Sequence, residues 1–339
     1  MARIPYIEEL AEEVVKYAQE ADELHRCSTA APYEKHNGST HDALVSVVTV
    51  CFNPLVAGRR EVFRKNLDSV QAQEGVRLEH IIVDGNSTDG TVEWLTGYGN
   101  ERYDIRILSM ADSGIYEAMN RGIALARGKY VIFLNTDDFF HNPHGMANSV
   151  ARLEKFGCDF SFAPVRFDPP GVRHSAQLAP QRRLHRFLIS WSFSHQSMLT
   201  LRSSLLRMDG FDTTYRSAAD YDLLLRLIAA GAKGCFVPCT FTTFRLGGFS
   251  RDNRELAINE CVRSLRDFYR NVYSTLMAWE EVDYIIRYRV YPHRYLYIYK
   301  QTQLLIRERF VGVPGGPFAF VSRWFNYFKY YRKCQKANI

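Results

Sequence analysis

Between residues 44 and 139 the chain alternates two hydrophobic periods, and this rhythm restricts its fold more than any other feature. Leu44 to Phe52, Leu78 to Val83, Ile105 to Leu108 and Tyr130 to Leu134 are short runs of apolar, largely β-branched or aromatic residues. Runs of that length, bounded by turn residues, read as buried strands. Helical patterns lie between them. One surrounds Val62, Phe63, Leu67 and Val70. Another runs from Ile115 to Arg127, with Ile115, Met119, Ile123 and Ala126 on one face and Gly128 as its stop. Strand, helix, strand, helix at this spacing predicts an α/β fold: a mostly parallel, Rossmann-like sheet covered by helices on both faces.

The strands end in acids. Asp84 follows the second, Asp112 the third, and the adjacent pair Asp137 and Asp138 the fourth. In open α/β sheets the carboxyl ends of the strands are where ligands bind. Two neighbouring carboxylates repel unless a positive charge lies beside them. Mg²⁺ or Mn²⁺ holding a diphosphate answers that need, because these ions take one or two carboxylates plus phosphate oxygens and water. The competing reading is a solvated loop after a strand. The turn Gly85-Asn-Ser-Thr-Asp-Gly90 offers Ser87, Thr88 and Asp89 as caps for the helix that follows.

Past residue 142 the rhythm loosens. Cys158 to Phe167 reads as a strand pair, Arg182 to Ile189 as a basic helix or loop, and Ser192 to Leu201 as a strand with a polar start. Ala218 to Ala230 is helical, Cys235 to Phe244 is a strand, and Gly247 to Ser250 is a flexible loop. From Glu255 the pattern is helical. Upstream, residues 5 to 25 form a helix with a short heptad stripe, either for a homodimer contact or for packing on its own domain. Three regions follow: 1–41 as helix and linker, 42–253 as the catalytic domain, and 254–339 as a helical, basic-aromatic region.

The seven cysteines are odd in number, and no pair has C-x-x-C spacing, which points to reduced thiols in the cytosol. No stretch has signal-peptide character, and no apolar run approaches the ~18 residues that span a bilayer. The net charge of +6 is unevenly spread. Residues 284 to 339 carry eleven Lys and Arg against one acid, Glu308, so the rest of the chain is net acidic. Arg287, Arg289, Arg294 and Lys300 alternate there with tyrosines, and Trp324, Phe325 and Phe328 precede Lys329, Arg332 and Lys333. Basic segments with interfacial aromatics suit an anionic membrane surface. The alternatives are a subdomain packed on the core and a nucleic-acid patch. The second conflicts with an acidic chemistry-bearing half, so no nucleic-acid partner is expected.

Six segments together resemble a known family. They are Val47-Val-Thr-Val-Cys-Phe-Asn53, Ile82-Val-Asp-Gly-Asn-Ser-Thr-Asp-Gly90, Asp112-Ser-Gly-Ile-Tyr-Glu-Ala-Met-Asn120, Phe133-Leu-Asn-Thr-Asp-Asp138, Ala219-Asp-Tyr-Asp-Leu223 and Gly247-Gly-Phe-Ser250. In this order, over roughly residues 44 to 252, they are similar to family-2 glycosyltransferases of the GT-A fold, the type that builds bacterial surface polysaccharides. The resemblance implies an inverting, metal-dependent transferase that moves a sugar from a nucleotide-sugar, a UDP-sugar first, to a hydroxyl of a glycan or lipid-linked glycan. Together with the basic, aromatic tail, which the resemblance does not cover, this fits a cytoplasmic enzyme peripheral on the inner face of the membrane.

The resemblance also implies roles. Thr49 and Asn53 hold the nucleotide base. Asp84 accepts a hydrogen bond from a pyrimidine N–H, and Asp112 lines the nucleoside pocket. Asn120 either reaches that pocket or faces solvent. Asp137 touches the ribose and Asp138 binds Mn²⁺ or Mg²⁺. Asp220 is the general base, because the acceptor hydroxyl must lose its proton as the new bond forms. Its alternative is an acid favoured by a helix dipole. His195 is an acceptor contact, and Gly248 and Ser250 close a loop over the diphosphate. Two other functions compete: a sugar nucleotidyltransferase, which would want a Gly-rich phosphate loop near the first strand, and a membrane-bound glycan-binding scaffold with a decayed site.

Overall fold

A computed structural model of the chain describes residues 44–56, 58–102, 105–168, 194–247, 249–288, 291 and 295–311. The expected helix over 5–25, the segment 182–189, Gly248 and the chain beyond 311 lie outside the described residues.

The strands, in chain order, are β1 (Leu44–Cys51), β2 (Arg77–Asp84), β3 (Ile105–Ser109), β4 (Tyr130–Phe133), β5 (Phe139–Phe140), β6 (Phe160–Phe162), β7 (Val165–Asp168), β8 (Thr200–Leu201), β9 (Gly234–Phe236), β10 (Thr242–Arg245) and β11 (Phe310–Val311). The helices are α1 (Arg60–Gln71), α2 (Thr91–Arg102), α3 (Ile115–Leu125), α4 (Gly145–Phe156), α5 (Arg202–Arg207), α6 (Ala219–Ala229), the short α7 (Phe249–Asp252), α8 (Arg254–Tyr273), α9 (Trp279–Tyr288) and α10 (Leu296–Arg309).

Eight strands form one sheet in the order β11-β9-β6-β8-β4-β1-β2-β3. β1 pairs in parallel with β2 on one side and with β4 on the other, and β8 is antiparallel to its neighbours β4 and β6. The sheet is therefore mostly parallel, as the α/β rhythm requires. The chain order reverses between β1 and β4, so their carboxyl ends open a crevice where an α/β sheet takes its ligand. A second sheet, β5-β10-β7, stands beside that crevice because β5 begins one residue after Asp138.

Both faces of β1 are buried. Val48 and Val50 join one apolar cluster with α3, α6 and α8, while Val45 and Val47 join another with Val70 of α1 and Met146 and Leu153 of α4. The α3 helix lies so close to β1 that a Cβ on Gly122 would fall 2.3 Å from Val48 Cγ1. Any larger residue there would push the helix off the sheet.

The expected boundary at residue 253 does not separate two cores. Val262 and Leu265 of α8, Ile285 of α9 and Ile306 of α10 share the cluster that holds Val48 and Phe133. β11 then adds a parallel strand to β9. Two expected strands also change. The run Cys235 to Phe244 is split into β9 and β10, which belong to different sheets, and Pro238 lies in the break. Proline has no N–H to give a ladder. Among the described residues 194–201 of the expected strand Ser192 to Leu201, only Thr200–Leu201 is a strand, with a single 3-10 turn at His195–Ser197.

The amino ends of the strands are tied by one acid. Glu79 pairs with Arg106 at 3.1 Å, and its Oε1 accepts from Ser46 Oγ at 2.6 Å and from the Arg127 N–H at 2.7 Å. Ser46 Oγ in turn accepts the Gly128 N–H at 2.9 Å.

Candidate active site

The crevice is built from four strand ends and one helix start. After β1 the chain turns at Phe52 and Asn53, with Asn53 at φ 46°. Two loops lock together there. The Asn53 N–H donates to Ser87 Oγ at 2.7 Å, and Asn53 Oδ1 accepts the Thr88 N–H at 2.8 Å. Asp89 Oδ2 accepts from the Leu55 and Val56 N–H groups, while its Oδ1 accepts the Thr91 N–H at the start of α2.

Asp84 sits beneath this pair of loops, fully buried. One of its oxygens accepts from Ser87 Oγ at 2.5 Å and the Cys51 thiol at 3.4 Å. The other accepts from the Ser87 N–H at 2.8 Å and Ser109 Oγ at 2.7 Å. The same burial, followed by the charge of Asp84, pushes the Cys51 thiol far up. Asp112 is half-buried and accepts the Gly114 N–H at 2.9 Å. Burial is the main cause holding its carboxyl above the usual range. Between these acids lies Gly85, where a Cβ would meet Asp112 Oδ2 at 2.9 Å and the Phe52 ring at 3.4 Å. The crevice thus has a bare main-chain floor at Gly85 with a 67% exposed aromatic ring beside it.

Three expected contacts are corrected. Asp84 has no exposed surface and its two oxygens already accept four donors, so it fixes the turn at Ser87 and is not placed to accept from a base N–H. Thr49 has no exposed surface, and its hydroxyl lies 2.9 Å from His80 Nε2 inside the sheet, so its side chain does not reach a nucleotide. Asn120 is also fully buried. It neither enters the pocket nor faces solvent: Nδ2 donates to the Phe211 carbonyl and Oδ1 accepts the Phe211 N–H, both at 2.8 Å. Asn120 therefore fixes the turn whose Phe211 ring packs on Phe133 and Tyr116.

The turn after β4 carries the carboxylate pair. Asp138 is 1% exposed, with Oδ1 accepting the Arg245 N–H at 2.9 Å and Oδ2 accepting from Asn135 Nδ2 at 3.3 Å. The Gln196 side chain bonds the same carboxylate. Burial, then the charge of Asp137, raise its carboxyl well above the usual range. A group so enclosed is not placed to meet a cation from the crevice, which corrects the expectation for Asp138. Asp137 beside it is partly exposed. Asn66 of α1 clamps this turn, donating from Nδ2 to the carbonyls of Asn135 at 2.8 Å and Asp138 at 2.9 Å. No local sequence signal marks Asn66, since its partners are about seventy residues away.

Asp220 opens α6. Its Oδ2 lies 3.1 Å from His195 Nδ1, and its Oδ1 accepts the Tyr221 N–H at 2.9 Å. The structure thus brings together two residues that the sequence singled out separately. Gln196 joins His195 to the carboxylate turn, because its side chain bonds Asp138 and its carbonyl accepts from Thr242 Oγ1 at 2.8 Å. The His195 and Asp220 side chains are 22% and 27% exposed, but His195 Nε2 is buried and has no partner among the described residues. Asp222, by contrast, pairs with Arg226 at 2.6 Å and is structural. Ser250 Oγ accepts from Ser217 Oγ at 2.9 Å, just ahead of α6.

No group of three or more His, Cys, Asp or Glu side chains able to hold a metal occurs among the described residues. One accessible carboxylate is too few to cage an ion, yet it fits a hard cation that takes its remaining ligands from phosphate and water.

Residues 46–213 match the model of Glycosyl transferase family 2. An uncharacterized glycosyltransferase of Mycobacterium tuberculosis is 28% identical over 242 residues, 67% of this chain and 84% of the relative. A PGL/p-HBAD biosynthesis glycosyltransferase of Mycobacterium bovis is 28% identical over 162 residues, 47% and 62% of the two chains. Among solved structures, S. aureus TarS 1-349 in complex with UDP-GlcNAc superposes with a TM-score of 0.54 at 15% identity, covering 71% of this chain and 70% of that one. The mannosyltransferase PcManGT from Pyrobaculum calidifontis, in complex with GDP-Man and Mn²⁺, gives 0.54 at 15% identity over 97% and 95%. At these identities the two structures establish the shared GT-A fold.

Proposed function

We propose that this chain, whose residues 46–213 match glycosyl transferase family 2, transfers a sugar from a nucleotide-sugar, with inversion, to a hydroxyl of a glycan or lipid-linked glycan. The observation that carries this reading is the Asp220–His195 pair, joined through Gln196 to the carboxylate turn at the β1–β4 crevice. A nucleoside lies over Gly85 with its base against Phe52 and its edge toward Asp112. The printed complexes of the structural relatives, with UDP-GlcNAc and GDP-Man, support a nucleoside diphosphate donor, and a UDP-sugar is the first to try.

Asp220 takes the proton of the acceptor hydroxyl as its oxygen bonds the anomeric carbon. The electron pair of the broken C–O bond leaves with the nucleoside diphosphate. His195, donating from Nδ1, orients the carboxylate. Asp137 is the residue that would hold Mn²⁺ or Mg²⁺, which would supply charge neutralisation at the leaving diphosphate.

The region from residue 284 is proposed to touch an anionic membrane surface at the inner face of the membrane. Supporting this, Tyr297 and Leu304 of α10 are 66% and 48% exposed, seven residues apart on one side of the helix. Among the described residues no helix is long and apolar enough to cross a membrane.

The test is calorimetric titration of UDP, GDP, dTDP and CDP with Mn²⁺ and with a chelator, followed by turnover of Asp220→Asn. The expected result is metal-dependent binding of one diphosphate, with transfer reduced at least ~1000-fold in Asp220→Asn and binding retained. Failure of every nucleotide to bind would leave the fold without the activity. Near-normal turnover of Asp220→Asn would remove it as the base.

A further inference from the structure

The amino terminus of α6 carries Asp220, and no residue next to it in sequence caps it: the position before the helix is Ala218, which has no side-chain cap. Its N–H groups are met from far away. Glu260 of α8, 9% exposed, accepts the Arg216 N–H on Oε1 and the Ser217 and Ala218 N–H groups on Oε2, each at 2.8 Å. The Tyr116 hydroxyl, on α3, is bonded by the N–H groups of Ala219 and Asp220. The Tyr221 N–H ends on Asp220 itself. Every donor from 216 to 221 is therefore occupied, and none remains for a phosphate. A carboxylate buried in the fold is costly unless donors meet it. Three N–H bonds to one carboxylate hold it there.

We propose that Glu260 is a positioning residue for the transfer reaction: by anchoring Arg216, Ser217 and Ala218 it sets the start of α6, and with it the point where Asp220 meets the acceptor hydroxyl. The proposal rests on Asp220 being the base. The same anchor reaches the segment expected to close over the diphosphate. Ser217, held by Glu260, is bonded to Ser250, and the Arg216 guanidinium lies 5.7 Å from the centre of the Phe249 ring. Glu260 lies beyond residues 46–213, the part that matches the family, so its role belongs to the packing of this chain's later helices.

The experiment compares Glu260→Gln, Glu260→Asp, Asp220→Asn and the double variant Glu260→Gln/Asp220→Asn in the full chain. Glutamine cannot accept all three N–H bonds, and a misplacement near 1 Å lowers catalysis roughly a hundredfold. Glu260→Gln should lower kcat about ten- to hundredfold while the KM for the donor changes less than about twofold. Glu260→Asp, which keeps the charge, should recover part of the loss. The double variant should be no slower than Asp220→Asn alone, because both changes act on one group. Wild-type kcat in folded Glu260→Gln would overturn the proposal, as would a double variant slower than Asp220→Asn by the full Glu260 factor. If Glu260→Gln does not fold, Glu260→Asp combined with Asp220→Asn gives the same cycle. Normal turnover of Asp220→Asn together with impaired Glu260 variants would instead mark the failure of Asp220 as the base.

Discussion

The two edges of the sheet treat buried acid in opposite ways. At the amino edge Glu79 faces a cation, Arg106, and takes up Ser46 and the Arg127 N–H as well. Its charge is balanced within the fold. At the carboxyl edge, among the described residues, Asp84, Asp112, Asp137 and Asp138 form no salt bridge; the first, second and fourth accept only N–H, O–H and S–H donors. Neutral donors fix a carboxylate in place without cancelling its field. One edge is therefore complete by itself, while the other retains a negative field that a cation and a polar ligand can satisfy.

Three substitutions test that contrast, beginning with the largest effect. Asp137→Asn should weaken Mn²⁺-dependent binding of the nucleoside diphosphate about a hundredfold, and Asp138→Asn much less, because Asp138 is enclosed. Calorimetry showing the reverse order would return the metal to Asp138. Glu79→Gln should leave that binding unchanged but lower unfolding free energy by about 2 kcal/mol, since it strands the partly buried Arg106. A urea midpoint equal to wild type would show that the amino edge does not depend on this charge.

The smallest effect concerns His80, buried between the edges against Thr49, whose pKa burial lowers to about 3. The folded state keeps it neutral while the unfolded chain binds a proton below about pH 6.5. Its contribution is thus fully present above pH 6.5 and is lost as pH falls toward 3. Urea midpoints at pH 7 and pH 5.5 should differ by roughly 1 kcal/mol more in wild type than in His80→Gln. Equal differences would show that His80 does not titrate on unfolding.

The strands, the parallel order and the acids at their ends were legible in the sequence because each is a local pattern, a run of apolar residues stopped by a polar one. Asp220 and His195 were legible as residues, but their 3.1 Å contact was not. Burial could not be read at single positions: Thr49 and Asn120 look like pocket residues by placement, yet pairing across β1–β2 and a turn at Phe211 enclose them. Asn66 and Glu260 left no trace, since each bonds main chain 42 or more residues away. The split of the run from Cys235 turned on Pro238, a breaker visible in the sequence whose consequence, a change of sheet, depends on where β7 lies.

The pairing of β11 with β9 has a consequence for how the protein is made. Residues 310 and 311 close an edge of the same sheet that β1 begins. A ribosome delivers the crevice strands first and the closing strand about 180 residues after the last of them, at about 5–20 residues per second. For about 4–15 seconds the nascent chain carries an open β9 edge, and for about 2–6 seconds an α6 without its Glu260 anchor. Synthesis stalled before α8 would release a polypeptide that has every acid of the carboxyl edge but neither a sealed sheet nor a fixed Asp220, a natural substrate for chaperones and for proteolysis.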